Sequence, residues 1–273
     1  MQNALKSIFG KEKIEYYAAL PISKCNVRRT DVIERSGLDP EKVKTAIVFL
    51  VPYYVKDRDE GNISLYARSY DYHFYMDSLF SVILPEMRKE YGINFAGFAD
   101  KSPIEETDAA AKAGLGVKGE NYLLINEKYG SFVFIGEILS EGEPELFGVE
   151  EREYVIKECL KCGKCRSSCP MNKDNMPCLS FVTQQKGELP SEQVDYIKKY
   201  GSAWGCDLCQ VSCPLCKDVH KTPIDFFREN RIVNLDTETL DGMSDEEFSR
   251  RAFSWRKRDT IRRNLEILGQ GGR

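Results

Sequence analysis

The chain has 273 residues, with 39 Lys+Arg against 43 Asp+Glu and a formal net charge of −4. Its 42% apolar and 30% charged composition is that of a protein with a sizeable buried core and excludes wholesale disorder. The longest apolar run, 46–55, is too short for a membrane-spanning helix of about 20 residues, and residues 1–17 lack the apolar stretch of a secretory signal, so the expected location is the cytoplasm with no membrane partner.

In chain order, the β-branched run 44–53, closed by Pro52, predicts a buried strand. Residues 72–91 predict a helix, with Met76, Leu79, Phe80, Ile83, Leu84 and Met87 at near-helical spacing and Pro85 as a kink. Residues 95–99 predict a second strand. A helix is expected over 103–113, with Ser102 as cap, Pro103 in the first turn and Glu105 as the following acid; Gly114 and Gly116 stop it. Residues 122–125 and 131–139 read as two strands joined in a hairpin through 127–130. An acidic stretch at 141–153 marks a boundary, and three segments follow: 1–150, 151–220 and 221–273.

Nine of the ten cysteines lie between Cys159 and Cys216. In a reducing compartment such a cluster points to metal or redox chemistry rather than to disulfides. Cys159, Cys162, Cys165 and Cys169, followed by Pro170, have the spacing of a bacterial ferredoxin motif. Cys178, Cys206, Cys209 and Cys213, followed by Pro214, form a second, interrupted set. Ferredoxin logic assigns Cys159, Cys162, Cys165 and Cys213 to one 4Fe–4S cluster, and Cys169, Cys178, Cys206 and Cys209 to another. The competing reading is a pair of zinc sites, but two Cys-Pro endings and a third in-register cysteine have no use in a four-cysteine zinc site. Cys216 is either a substitute ligand or a bystander, and Cys25 reads as a small buried hydrophobe.

The chain resembles the epoxyqueuosine reductases, cobalamin-dependent iron–sulfur proteins of tRNA queuosine synthesis related to reductive dehalogenases. The resemblance rests on Phe98-Ala-Asp100, Glu105 and Ala113-Gly-Leu-Gly116, on 129–137, and on Cys178-Leu-Ser-Phe181, Gln184-Gln-Lys-Gly187 and Gly205-Cys-Asp-Leu-Cys-Gln210. Ser254-Trp-Arg256 and Ile261-x-Arg-Asn264 extend it, so that it runs over about 64–268. It implies an α+β protein, an N-terminal α/β cobalamin-binding domain followed by a ferredoxin-like domain with two 4Fe–4S clusters, reducing epoxyqueuosine to queuosine in tRNA.

By the same resemblance, Asp100 stands in the place of the catalytic proton donor; read from the residues alone, it caps the following helix or its turn. Arg68, Asp100, Asn121, Ser180, Gln184, Lys186, Trp204 and Asp207 become candidates for contact with cobalamin; Arg68 has a substrate phosphate as its alternative, and Asn121, Ser180, Gln184, Lys186, Trp204 and Asp207 have packing or capping. His73 is expected to be structural. The segment 249–263 carries seven basic residues against one acid, and Arg256, Lys257, Arg258, Arg262 and Arg263 read either as a solvated helix face or as contacts to an anticodon stem-loop. An electron donor such as a ferredoxin or flavodoxin is implied. Other readings keep the clusters but change the partner: a corrinoid reductase acting on a small molecule or protein, or an electron-transfer protein.

The sequence also departs from the family. It ends soon after Arg263, before the helical-repeat extension of longer members. Residues 1–60 match poorly and the loop between Cys169 and Cys178 is short. Glu120 reverses a charge in the 118–121 turn, and Gly201-Ser202 replace an Asn-Arg pair.

Overall fold

A computed structural model of the chain describes residues 2–56, 61–171 and 177–269. Its contacts divide the chain into two compact units, 1–52 with 75–161 and 53–74 with 162–273. Residues 53–74 thus fold with the cysteine-bearing half, where division of the sequence at 150 groups them with the first. Among the described residues no helix is long and apolar enough to cross a membrane.

The first unit holds α1 (Gln2–Lys11), β1 (Tyr17–Pro21), α2 (Thr30–Arg35), β2 (Thr45–Pro52), the main part of α3 (Tyr72–Tyr91), β3 (Phe95–Ala99), α4 (Glu106–Lys112), β4 (Val117–Lys118), β5 (Leu124–Ile125) and β6 (Val133–Ser140). Four strands form one antiparallel sheet in the order β1-β2-β6-β3. The apolar run of β2 is buried along its whole length, as expected of an inner strand covered on both faces. On one face Ala46, Val48 and Leu50 share a core with Ala109, Ala110, Ala111 and Ala113, small residues that let α4 lie close to the sheet. On the other face Phe49 packs 5.4 Å from Phe9 and 6.1 Å from Phe80, centroid to centroid. Two glycines make that packing possible. A Cβ at Gly97 would lie 2.4 Å from Phe80, and one at Gly136 would lie 2.2 Å from Phe49.

Helix α3 spans the predicted 72–91 and runs on through Pro85. Two expectations are corrected. The hairpin over 122–139 does not form: the turn closes through reciprocal backbone bonds between Asn126 and Gly130, but β5 pairs with β4, while both edges of β6 are taken by β2 and β3. The helix expected over 103–113 starts only at Glu106, with Glu105 at its N-cap. Residues 103–105 instead run extended: Val27 bridges Ile104, Pro103 O accepts from Arg28 N, and Glu105 N donates to Asn26 O. Ser102 Oγ caps no helix and accepts from Ile104 N at 3.1 Å.

The second unit is built from short helices: α5 (Lys164–Ser168), α6 (Leu179–Gln184), α7 (Ser191–Tyr200), α8 (Leu208–Val211), α9 (Thr237–Gly242), α10 (Asp245–Ser249) and α11 (Arg258–Gly269). Two apolar clusters hold it together. One gathers Trp204, Phe253, Leu240, Ile261 and Leu265, the other Leu179, Val182, Ile197 and Ile267. The fully buried Asn264 ties them by donating from Nδ2 to Thr183 O at 2.7 Å and to Ala203 O at 2.8 Å. Segment 62–64 is laced to 203–204 through Ala203 N to Asn62 O and Ser64 N to Trp204 O, which is why residues 53–74 belong with this unit.

Candidate active site and cluster motifs

In the first unit the chain leaves β3 through a tight turn, in which Lys101 N donates to Ala99 O at 2.7 Å around Asp100. Asp100 adopts a φ of +64°, a conformation that L residues avoid and that is often retained at functional sites. Its side chain is exposed. Because α4 starts at Glu106 with Glu105 as its N-cap, Asp100 does not occupy the capping position that the residue-level reading gave it.

Two further carboxylates stand behind it, and neither was singled out from the sequence. Glu137 on β6 is fully buried, and Glu106 opens α4. Burial raises both carboxyls, Glu106 to about 7 and Glu137 well above the carboxylate range. A readable signal existed: Val133, Ile135 and Leu139 alternate towards the core, and Glu137 falls in the same row. Asn121 lies in the turn after Gly119, where its Oδ1 accepts from Leu123 N at 3.4 Å.

In the second unit a cavity of about 300 Å³ is lined by Ser64, Arg68, Leu179, Gly205, Cys206 and Asp207, among others. Arg68 and Asp207 are thereby brought to one site. Arg68 is buried and donates from Nε to Ile63 O at 2.8 Å, while Asp207 accepts from Ser64 Oγ at 2.7 Å and from Leu65 N at 2.8 Å. Gly205 has a φ of +75°, and a Cβ there would sit 2.4 Å from Ser64 Cβ, so glycine is needed to bring 64 against the Cys206 loop.

The remaining candidates do not converge on this cavity. Gln184 Nε2 donates to Ser180 Oγ at 3.1 Å, and Lys186 is exposed. Trp204 is corrected: it is sealed in the core at 0% exposure with Nε1 donating to Tyr66 Oη, so it shapes the site from behind and presents no surface to a ligand. His73 Nδ1 lies 2.8 Å from Asp71 Oδ1.

The basic segment is also partly corrected. Arg258 donates to Leu240 O and Met243 O, Arg263 donates to Gln185 O and Gly187 O, and Arg262 pairs with Asp241. These guanidinium groups are employed within the fold, so they are not a bare phosphate-binding row. The outward part is smaller: Trp255 is 55% exposed under the Arg256 guanidinium, 3.9 Å from the ring centroid, next to the exposed Lys257.

None of the ten cysteines is in a disulfide. Cys206 lies within electrostatic reach of Cys178 and Cys209, and Cys213 within reach of Cys162 and Cys216. The first group falls inside one predicted cluster set, and the Cys213–Cys162 pair inside the other. Burial pushes the Cys206 thiol up to about 12 and the Cys213 thiol up to about 11. Cys216 is fully buried, and its position beside Cys213 keeps the substitute-ligand reading open. Cys25 sits in the alanine-rich core of the first unit, its thiol pushed up to about 12 by burial, as befits a small hydrophobe. Among the described residues no three His, Cys, Asp or Glu side chains are drawn in tightly enough to hold a single ion. An iron–sulfur cubane asks for a wider spacing, because its thiolates bind different irons.

Helices α5 and α8 repeat one pattern, Cys165-x-x-Ser168-Cys169-Pro170 and Cys209-x-x-Ser212-Cys213-Pro214. They pack together with Ser168 Oγ 2.8 Å from Ser212 Oγ.

No family model matches the chain. An epoxyqueuosine reductase of Lactococcus garvieae (strain Lg2) is 28% identical over 284 residues, covering 93% of this chain and 79% of the relative. One from Leadbetterella byssophila is 32% identical over 192 residues, covering 65% of this chain but 61% of the relative. Among solved structures, an epoxyqueuosine reductase with an epoxyqueuosine-modified tRNA-Tyr stem loop is similar in fold, with a TM-score of 0.73, 23% identity, and coverage of 99% of this chain and 82% of that one. The Bacillus subtilis enzyme, solved with an aspartate catalytic loop swung out of its active site, gives a TM-score of 0.72 at 22% identity over 99% of this chain and 82% of that one. A catabolic reductive dehalogenase is more distant, with a TM-score of 0.50 and 12% identity over 97% of this chain and 35% of that one.

Proposed function

Starting from the premise that the chain is a homologue of the epoxyqueuosine reductases, we propose that it reduces epoxyqueuosine to queuosine in tRNA, with two 4Fe–4S clusters and cobalamin as cofactors. The observation that carries this reading is the likeness to the Lactococcus enzyme along 93% of the chain, taken with the cysteine motifs that the sequence carries between Cys159 and Cys216. The tRNA stem loop held by a structural relative supports the substrate.

The residues fit the cofactors in kind. Cys159, Cys162, Cys165 and Cys213 hold one cluster, and Cys169, Cys178, Cys206 and Cys209 the other; the grouping of the Cys206 thiol with Cys178 and Cys209 supports that partition. For the corrin, the supporting feature is the cavity beside the Cys206 loop, which at about 300 Å³ would take an edge or side chain of the ring and not the whole cofactor, with Asp207 and the buried Arg68 in its wall. Bound cobalamin supplies, when reduced, a strongly reducing and nucleophilic cobalt.

Asp100 holds the proton that the departing epoxide oxygen needs. Its exposed side chain on a strained turn suits a group that meets a substrate, and the aspartate loop of the Bacillus relative supports the same role. Trp255, Arg256 and Lys257 are the outward residues best placed to stack on a base and meet phosphates. Electrons come from a ferredoxin- or flavodoxin-like carrier.

The test is anaerobic purification with added cobalamin, an iron count, and turnover of an epoxyqueuosine-containing stem-loop by wild type and Asp100→Ala. About eight irons per chain, retained corrinoid and conversion that Asp100→Ala abolishes are expected. About four irons would overturn the cysteine partition. Corrinoid retention without conversion would transfer the enzyme to another substrate, and clusters without corrinoid would make it an electron carrier.

A further inference from the structure

Glu137 occupies a place that the strand pattern reserves for an apolar residue. Its ladder neighbours are Val48 on β2 and Phe98 on β3, and its row on β6 continues with Ile135 and Leu139. It is 0% exposed. Among the described residues the Ser102 hydroxyl is the one neutral donor near the Glu137 carboxyl, and by strict geometry neither Glu137 oxygen, nor Oε2 of Glu106, has a hydrogen-bond partner.

The titratable and polar groups facing this pair come from three places, since the flanking strands β2 and β3 supply only Val48 and Phe98. The β3–α4 connection contributes Asp100, Ser102 and Glu105, α4 contributes Glu106 itself, and the segment before α2 contributes Cys25. The cations nearby have other partners: Arg28 pairs with Glu105, and Lys112 donates to Lys24 O. Two bare carboxylates cannot both persist in such surroundings. A single proton between them neutralises one and gives the other a donor.

We propose that Glu106 and Glu137 share one proton, and that this pair is the internal reserve from which Asp100 is reprotonated during turnover. The inference rests on the reading of the chain as an epoxyqueuosine reductase. Removing the epoxide oxygen breaks two C–O bonds, forms one C=C bond and releases water, and so consumes two electrons and two protons. The electrons arrive from a one-electron iron–sulfur or flavin carrier. Asp100 gives the first proton, the Glu106–Glu137 pair returns its one proton to Asp100 and stands doubly ionised only for the interval before it is recharged, and Asp100 gives the second. Solvent then recharges the pair through the exposed Asp100. The raised carboxyls of Glu106 and Glu137 accord with a proton retained at neutral pH.

The experiment uses full-length, cofactor-loaded protein and three variants, Glu137→Gln, Glu106→Gln and Asp100→Asn. Infrared spectra at neutral pH are expected to contain a protonated-carboxyl C=O band that both glutamate variants lose and Asp100→Asn keeps. In turnover, both glutamate variants are expected to slow kcat by about tenfold above neutral pH, with KM unchanged and the rate recovering in acid or with an added small buffer acid. Absence of the band in wild type, or a wild-type pH profile in both variants, would overturn the proposal. If Glu137→Gln does not fold, Glu106→Gln alone carries the decision. The infrared band needs no substrate: its presence in a protein inert on the stem-loop would defeat the assigned reaction and with it the relay, while its absence in an active protein would defeat the proton pair alone.

Discussion

The sheet unit and the cysteine-bearing unit meet the same demand, the satisfaction of buried main-chain groups, with different donors. In the first, β1, β2, β6 and β3 pair edge to edge, so that backbone answers backbone and the side chains between the layers are almost all apolar. In the second, helices of four to twelve residues leave many loop and helix-end carbonyls unanswered, and side chains answer them. Asn264 serves Thr183 and Ala203, Arg263 serves Gln185 and Gly187, Arg258 serves Leu240 and Met243, and Asn62 Nδ2 serves Leu235. A ladder tolerates change in any one side chain better than a scaffold hung from individual asparagines and arginines. The exception in the first unit is the Glu106–Glu137 pair, where the ladder is intact and side-chain polarity is left over.

That exception gives the largest expected effect. A carboxyl raised in the folded state keeps its proton when the unfolded chain has already released it. Between about pH 4.5 and the folded value the native state therefore binds more protons, and stability falls as pH rises. Taking Glu106 from 4.5 to about 7 corresponds to roughly 3 kcal/mol lost across that range. Chemical denaturation of wild type should show the decline, and Glu137→Gln should flatten it. An unchanged slope in the variant would mean that the pair carries no shared proton.

Asn264→Ala should cost roughly 2 kcal/mol, because it strips two buried carbonyls of their donor. The loss should be seen as faster amide exchange in α6 and around 203–205, within the second unit. A loss below about 0.5 kcal/mol would contradict the contrast between the units.

Much of the first unit was legible because apolar spacing records which residues are buried: strand 45–52, helix 72–91 and strand 95–99 follow from it. Spacing does not record partners. The 131–139 strand was recognisable, but its union with β2 and β3 rather than with 122–125 depends on contacts far away in the chain. The start of α4 was misplaced for a similar reason, since Asn26 to Arg28 hold 103–105 extended. In the second unit the cysteine spacing was plain, while the basic segment misled, because an arginine bonded to a carbonyl and one facing solvent look alike in sequence. Arg258 and Arg263 are of the first kind, and exposed Lys257 is of the second.

The smallest effect lies at the surface. Arg262 pairs with Asp241, both partly exposed, and Arg262→Ala should change stability by about 0.5 kcal/mol or less, fading with salt. Thermal melts of the variant at low and high ionic strength would check this. A loss as large as that of Asn264→Ala would place Arg262 among the structural clamps.

The Ser168–Ser212 contact joins two near-copies of one short motif. If each copy lies against one of the proposed clusters, the relay is close to a palindrome, and its halves give a travelling electron little reason to prefer either end. Direction must then be set by what differs between them, such as the exposed Cys178 against the buried Cys213. Exchanging those local environments would be a way to reverse the current without touching a ligand.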